Sequence, residues 1–255
     1  MSIGRIETSQ NNGLSMQTFE ETIFNNWANR FQCSPSVLQQ GGTTWIPEQK
    51  YANQNRIILW HIGKHTFVLF DPSLDELLND IKAKFSLNTA LSGEDIQKRL
   101  TSNTIASHDI GFVHYLFPAD LPILTPPNTF NVRMLSPADA EQLAELHRNC
   151  TPEEVDEGYV EIDHEAVFGC FQDNQLVSAA SGYRMTGFMD IGVLTHTNFR
   201  RLGLGKLVVG ELCKWTISHN IIAQYRFDST NTNSLGVAKA LNFRHYFTSE
   251  SLIIN

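Results

Sequence analysis

The chain has 255 residues, 42% of them hydrophobic, and a formal charge of −8. That is enough apolar material for one large domain or two small ones, and the acidic balance argues against a nucleic-acid partner. No apolar run reaches the length of a membrane span, the N-terminus carries no signal-peptide core, and Cys33, Cys150, Cys170 and Cys213 form no C-x-x-C pair; the expectation is a cytoplasmic protein with reduced thiols and no membrane partner.

Residues 1 to about 15 are polar and read as a mobile end. Met16, Phe19, Phe24, Trp27 and Phe31 then fall at helical spacing. Ser34-Pro35 starts a short helix that Gly41-Gly42 ends. Two apolar runs within 56–70, Ile57 to Trp60 and Thr66 to Phe70, separated by His61-Ile62-Gly63-Lys64-His65, read as a β-hairpin. Asp71-Pro72-Ser73 opens a helix with Leu74, Leu77, Leu78, Ile81 and Phe85 on one face, and Ser92-Gly93 opens another that runs through Leu100. Ile110 to Phe117 reads as a strand.

Pro122, Pro126 and Pro127 follow closely, and such a run continues neither a helix nor a central strand. It marks a boundary between an α/β domain at 1–126 and a second domain at 127–255. In the second domain Phe130 to Leu135 reads as a strand. Ser136-Pro137 and Thr151-Pro152 are start signals for two helices. Strands are expected at 166–171 and 176–183 around Asp173-Asn174, and again at 188–195. A long helix from Lys206 to His219, a strand at 221–227, a helix at 231–241 and one or two strands to Ile254 complete the chain. The expected class is α/β, with a mixed, mostly antiparallel sheet flanked by helices.

The most informative stretch is Arg200 to Gly205, R-R-L-G-L-G, between a strand and the long helix. The first turn of a helix has unpaired N–H groups and a partial positive charge, so it suits a phosphate. Gly203 and Gly205 lack the Cβ that would block the approach. Arg200, Arg201 and Lys206 add cations where a helix prefers anions, a conflict that a bound diphosphate removes. Taken alone, the stretch also serves as a tight turn with its arginines in solvent. It is neither G-x-G-x-x-G nor a P-loop.

Downstream, Asn231-Thr-Asn-Ser234-Leu-Gly-Val-Ala238 leads to Asn242-Phe243. The two motifs, R-x-x-G-x-G after a strand and this later Asn-small-residue pattern, resemble those of the GNAT superfamily of N-acetyltransferases. The strand and helix order over about 128–255 is similar as well. The region before it has no recognisable motif; its hairpin and following helix also suit a degenerate copy of the same fold, shaping an acceptor cleft or a dimer contact.

The resemblance implies acetyl-CoA as co-substrate and an amine of a small molecule or peptide as acceptor, with direct attack in a ternary complex. It places the diphosphate on the backbone of Arg201, Leu202, Gly203, Leu204, Gly205 and Lys206, beside Arg200, and the pantetheine arm along Val193, Leu194 and Thr195. Asn231 and Ser234 match positions near that arm. Ala238 stands where the family usually carries a tyrosine general acid, and Asn242 where it carries glycine. Water, or a hydroxyl such as Tyr225 or Tyr246, would then protonate the thiolate, or catalysis is weak; core or surface packing by itself accounts for either tyrosine. For the base, Asp190 on the strand and Glu161, with its neighbours Asp163 and His164, are the acidic or basic groups within reach. No metal-ligand spacing is present. A second function fits the same residues: an acyl-CoA-binding sensor or interaction module with little catalysis.

Overall fold

A computed structural model describes residues 15–85, 88–100 and 104–255; the polar stretch read as a mobile end lies, but for Ser15, outside the described residues. The helices are α1 (Met16–Arg30), α2 (Pro35–Gln39), α3 (Asp75–Lys84), α4 (Gly93–Gln97), α5 (Ala140–Arg148), α6 (Pro152–Gly158), α7 (Leu204–Ser218) and α8 (Thr232–Ala240). The strands are β1 (Gly42–Pro47), β2 (Arg56–Ile62), β3 (His65–Phe70), β4 (Ile105–Tyr115), β5 (Asn131–Met134), β6 (Ala166–Gln172), β7 (Gln175–Met185), β8 (Phe188–Thr195), β9 (Ala223–Asp228) and β10 (Arg244–Ile254). The class is the expected one, a mostly antiparallel sheet flanked by helices.

Local chemistry sets many of the boundaries. Ser15 caps α1 by accepting from the Thr18 N–H. Reciprocal capping boxes, Thr151 with Glu154 and Ser92 with Asp95, start α6 and α4. Asp173 and Asn174 both take positive φ, as a two-residue hairpin turn requires, and they join β6 to β7.

All ten strands form one sheet, in the order β1-β3-β2-β10-β4-β9-β8-β7-β6-β5. Only the β1–β3 and β8–β9 pairs are parallel. The sheet runs across the proline-rich segment: β4, which precedes the prolines, lies between β10 and β9. It pairs with β10 from Tyr115↔Arg244 to Ile105↔Ile254 and with β9 from Gly111↔Asp228 to Tyr115↔Gln224.

Two strands differ from the sequence reading. β4 begins five residues earlier than Ile110, because Ser107, His108 and Asp109 pair with Ser251 to Ile253 although they carry no apolar alternation. β1 has no counterpart in that reading; it is an edge strand, paired on one side only, and ends at Pro47, as an edge permits.

The core has two faces. Tyr115 and Val113 point to one side, where Phe19, Ile23 and Trp27 of α1 pack. Leu143 and Leu146 of α5 pack on that side further along, over Val167, Ala179 and Leu194. On the other face Leu207, Val208 and Leu212 of α7 cover Ile191, Tyr225 and Phe243, and α3 with α4 covers Ile57, Leu59 and Leu252. Each of these apolar side chains contributes about 1.5–3 kcal/mol on burial. No described helix is long and apolar enough to cross a membrane.

His114 of β4 lies inside this core. It is 6% exposed, its Nδ1 has no hydrogen-bond partner, and its ring stacks on Phe227 at 4.9 Å. Burial pulls its pKa down to about 4, and the nearby His245 acts in the same direction. Its folded pKa is therefore below its unfolded value, so its contribution is complete above about pH 6.5 and is lost as pH falls toward 4. Between pH 7.5 and 5 the chain should lose roughly 2 kcal/mol through this one group. Urea midpoints at the two pH values should show that loss shrink by most of that amount in His114→Phe.

Candidate active site

β8 and β9 begin as neighbours and then separate. They pair at Met189↔Ala223 and Asp190↔Gln224 and nowhere beyond. β8 continues to Thr195 against β7, while β9 continues to Asp228 against β4. The gap between them opens into a cavity of about 470 Å³. Gly192, Val193, Leu194 and Thr195 form one wall, and Tyr225, Arg226, Phe227 and Asp228 the other.

The start of α7 closes one end of the cavity. Gly203 is its N-cap residue with φ 77°, and no side chain caps the helix. Arg201 also takes positive φ, 64°. The first-turn N–H groups thus lack a protein side-chain acceptor. A Cβ added at Gly205 would meet Thr195 Oγ1, Val193 Cγ2 and Val237 Cγ2 at 3.6 Å, an ordinary contact. Packing therefore does not demand glycine here; what glycine leaves is open space facing the cavity. Arg201 and Lys206 line the same end, and among the described residues neither has an ion-pair partner.

Arg200 behaves differently from expectation. Its guanidinium pairs with Glu154 at 2.7 Å and reaches the Thr195 carbonyl at 3.3 Å. Arg200 holds the Glu154 carboxyl below its usual range. The pair ties α6 to the turn, so this cation is already neutralised. Leu202 is 55% exposed and is not part of the cavity lining. Gly203, Leu204, Gly205, Lys206, Val193, Leu194, Thr195, Asn231 and Ser234 all line it. Asn231 caps α8 by accepting from the Ser234 N–H at 3.0 Å.

Tyr225 reaches the cavity from β9. It is 2% exposed, and its hydroxyl has no properly directed hydrogen bond. Burial pushes its pKa up to about 12, with Ser234 pulling the other way. Ala238, where a tyrosine was expected, is buried in the same core cluster as Tyr225. Tyr246 lies elsewhere, packed on Phe19 and Tyr115.

The structure does not bring Asp190 and Glu161 to the cavity wall. Asp190 sits at the last β8–β9 pair, and its carboxylate accepts from Tyr183 Oη at 2.8 Å, Gln224 Nε2 at 2.9 Å and Arg226 Nε at 3.0 Å. The chain of donors continues: Tyr115 donates to Gln224 Oε1 at 2.6 Å, and Trp27 Nε1 donates to Tyr115 at 2.7 Å. Asp190 is therefore an anchor for Arg226 with its lone pairs taken, an arrangement unsuited to a base. Glu161 and Asp163 are exposed in the loop after α6. His164, in the same loop, packs its ring on Tyr159 and Tyr183 at about 5 Å.

Sequence reasoning missed Glu154, Glu157 and Arg226, all of which line the cavity. The polar alternation Gln224, Arg226, Asp228 within a strand was a visible signal for the last of these. The helix start at Thr151 accounted for Glu154 only as a cap.

A parallel strand pair that opens beside an uncapped glycine turn defines a GNAT-type α/β domain. Residues 165–249 match the family model described as GNAT acetyltransferase. Among solved structures, a GCN5-related N-acetyltransferase from Sphaerobacter thermophilus aligns with a TM-score of 0.52 and 10% identity, over 73% of this chain and 71% of that one. A functionally unknown conserved protein from Staphylococcus epidermidis aligns with a TM-score of 0.51 and 10% identity, over 74% and 84%. A putative GNAT-family acetyltransferase from Novosphingobium aromaticivorans is 15% identical over 60% and 69%, with a TM-score of 0.43. No curated protein matches the chain. The match over residues 165–249 and the shared fold support a GNAT-type acyltransferase domain, a family whose general chemistry is acyl transfer.

The anchor role of Asp190 is measurable. Asp190→Asn leaves the largely buried Arg226 without its counter-ion and should destabilise the fold by about 3 kcal/mol. Denaturant unfolding would read this; a loss near zero would show that the pair does not hold the two strands.

Proposed function

We propose that the chain transfers an acetyl group from acetyl-CoA to an amine of a small molecule or peptide, by direct attack in a ternary complex. The observation that carries this reading is the uncapped, glycine-lined start of α7 facing the β8–β9 gap, with two unpaired cations beside it. That end fits a diphosphate, because free N–H groups, a helix N-terminus and Arg201 with Lys206 converge there. The backbone of Val193 to Thr195 has no strand partner on its β9 side, although Arg200 reaches the Thr195 carbonyl, and is suited to receive an extended amide-bearing arm as an added strand. Bound acetyl-CoA supplies the activated acyl group.

Tyr225 is the hydroxyl best placed to meet the leaving sulfur. A pKa near 12 makes it a poor proton donor to a thiolate, whose own pKa is about 8.5. Its role in this reading is to donate a hydrogen bond as negative charge develops on sulfur. Region 1–126 takes part in this reading as well, because Trp27 and Tyr115 support Asp190 beneath the gap. The second reading, an acyl-CoA sensor, draws on Ala238 in place of the family's tyrosine.

Titration calorimetry with acetyl-CoA tests the cradle. Gly205→Glu should weaken binding at least tenfold through bulk and charge, and unchanged affinity would refute the cradle. Tyr225→Phe should leave binding intact and slow thiol release over a panel of amines by about 10²-fold. Coenzyme A release above background with any amine decides for the enzyme over the sensor.

A further inference from the structure

We infer that His164 is the base that accepts the acceptor's proton, an assignment that rests on the acyl-transfer reading above. An amine is an ammonium near neutral pH and needs such a base before it can attack. Asp190 does not fill the role, because Tyr183, Gln224 and Arg226 take its lone pairs; Glu161, in the same loop as His164, is exposed and its carboxylate has no hydrogen-bond partner among the described residues. His164 combines a fixed ring with a free nitrogen.

Its Nδ1 lies 2.8 Å from Ser181 Oγ. Ser181 is fully buried, and its hydroxyl donates its one proton to the Tyr159 carbonyl at 3.4 Å. With its proton on that carbonyl the hydroxyl accepts from His164, and this assignment puts the imidazole proton on Nδ1 and the lone pair on Nε2. Among the described residues none hydrogen-bonds that Nε2. The rings of Tyr159 and Tyr183 hold the imidazole from two sides, at 4.9 and 5.1 Å.

The position fits as well. Ser181 is the register partner of Gly192, which lines the cavity just past the last β8–β9 pair. Gly158, next to Tyr159, lines it too. His164 thus stands on the α5–α6 side of the sheet, opposite α7, behind the lining residues Gly158 and Gly192 and not itself part of the lining; in this assignment the acceptor meets the arm on that side. Burial lowers its pKa, while Asp163 and Glu161 on its own loop push it back up. The groups facing it from the sheet are the Ser181 hydroxyl and Tyr183, the latter bonded to the Asp190–Arg226 pair.

In the step, Nε2 first takes one ammonium proton, directly or through one water, and passes it to solvent. The neutral amine then forms the C–N bond as the C–S bond breaks, the second nitrogen proton is lost to solvent, and the sulfur leaves as a thiolate hydrogen-bonded by Tyr225 and is protonated from solvent.

The test uses the full chain, saturating acetyl-CoA, and tyramine, spermidine and a short peptide with a free N-terminus as acceptor probes. His164→Gln should bind acetyl-CoA as the unmodified protein does, lose about 10²-fold in kcat at pH 7, and lose the acid limb of the pH profile. Ser181→Ala should keep that limb with a smaller loss in kcat, as a positioning residue would. Long-range proton–nitrogen correlation spectra of the histidines, with His164→Gln giving the assignment, should show the neutral ring protonated on Nδ1. A proton on Nε2, or full turnover with the limb intact in His164→Gln, overturns the assignment and leaves acyl transfer standing. Failure of the unmodified protein to bind acetyl-CoA overturns both.

Discussion

The arrangement depends on a competition for the edge of one strand. β9 pairs with β8 at two positions and with β4 over its whole exposed length. A strand bonds one neighbour on each side, so β9 follows β4 on one flank while β8 follows β7 away from it on the other. The divergence leaves the backbone of Val193 to Thr195 without a strand partner on that flank, where Arg200 reaches the Thr195 carbonyl. Backbone without a ladder partner is costly in a dry core but acceptable beside an open cavity, and that is where it lies.

The strand that flanks β9 comes from before the prolines, so the N-terminal region shapes the cavity without lining it. It also supports the point at which the two strands part. Trp27, Tyr115, Gln224 and Asp190 form a buried series of hydrogen bonds in which every donor has one acceptor, and it ends on the Asp190–Arg226 pair. Such a series is stable only when complete, because each member left unpaired would carry a desolvation penalty. Helix α1 is thereby tied to the point at which β8 and β9 part.

Charge is distributed across the cavity with the same economy. Arg200 and Asp190, the two ions that first attract attention, are neutralised by Glu154 and Arg226. Arg201 and Lys206 at the helix end have no ion-pair partner among the described residues, Glu157 and Asp228 add carboxylates to the lining, and the buried Tyr225 hydroxyl has no directed hydrogen bond. These groups are held by separate elements at separate points around one gap.

Local sequence determined much of this protein. Ser136-Pro137 and Thr151-Pro152 start helices, Asp173-Asn174 makes a hairpin turn, and R-R-L-G-L-G gives an uncapped helix start next to a strand. These features follow from backbone angles and capping within a few residues, so the chain carries them wherever it folds. The edge strand β1, the polar first half of β4 and the commitments of the titratable groups were not legible. Asp190 meets Arg226 across 36 residues and Trp27 meets Tyr115 across 88. Whether an acid is free or taken depends on which strands become neighbours, and packing of the whole sheet decides that.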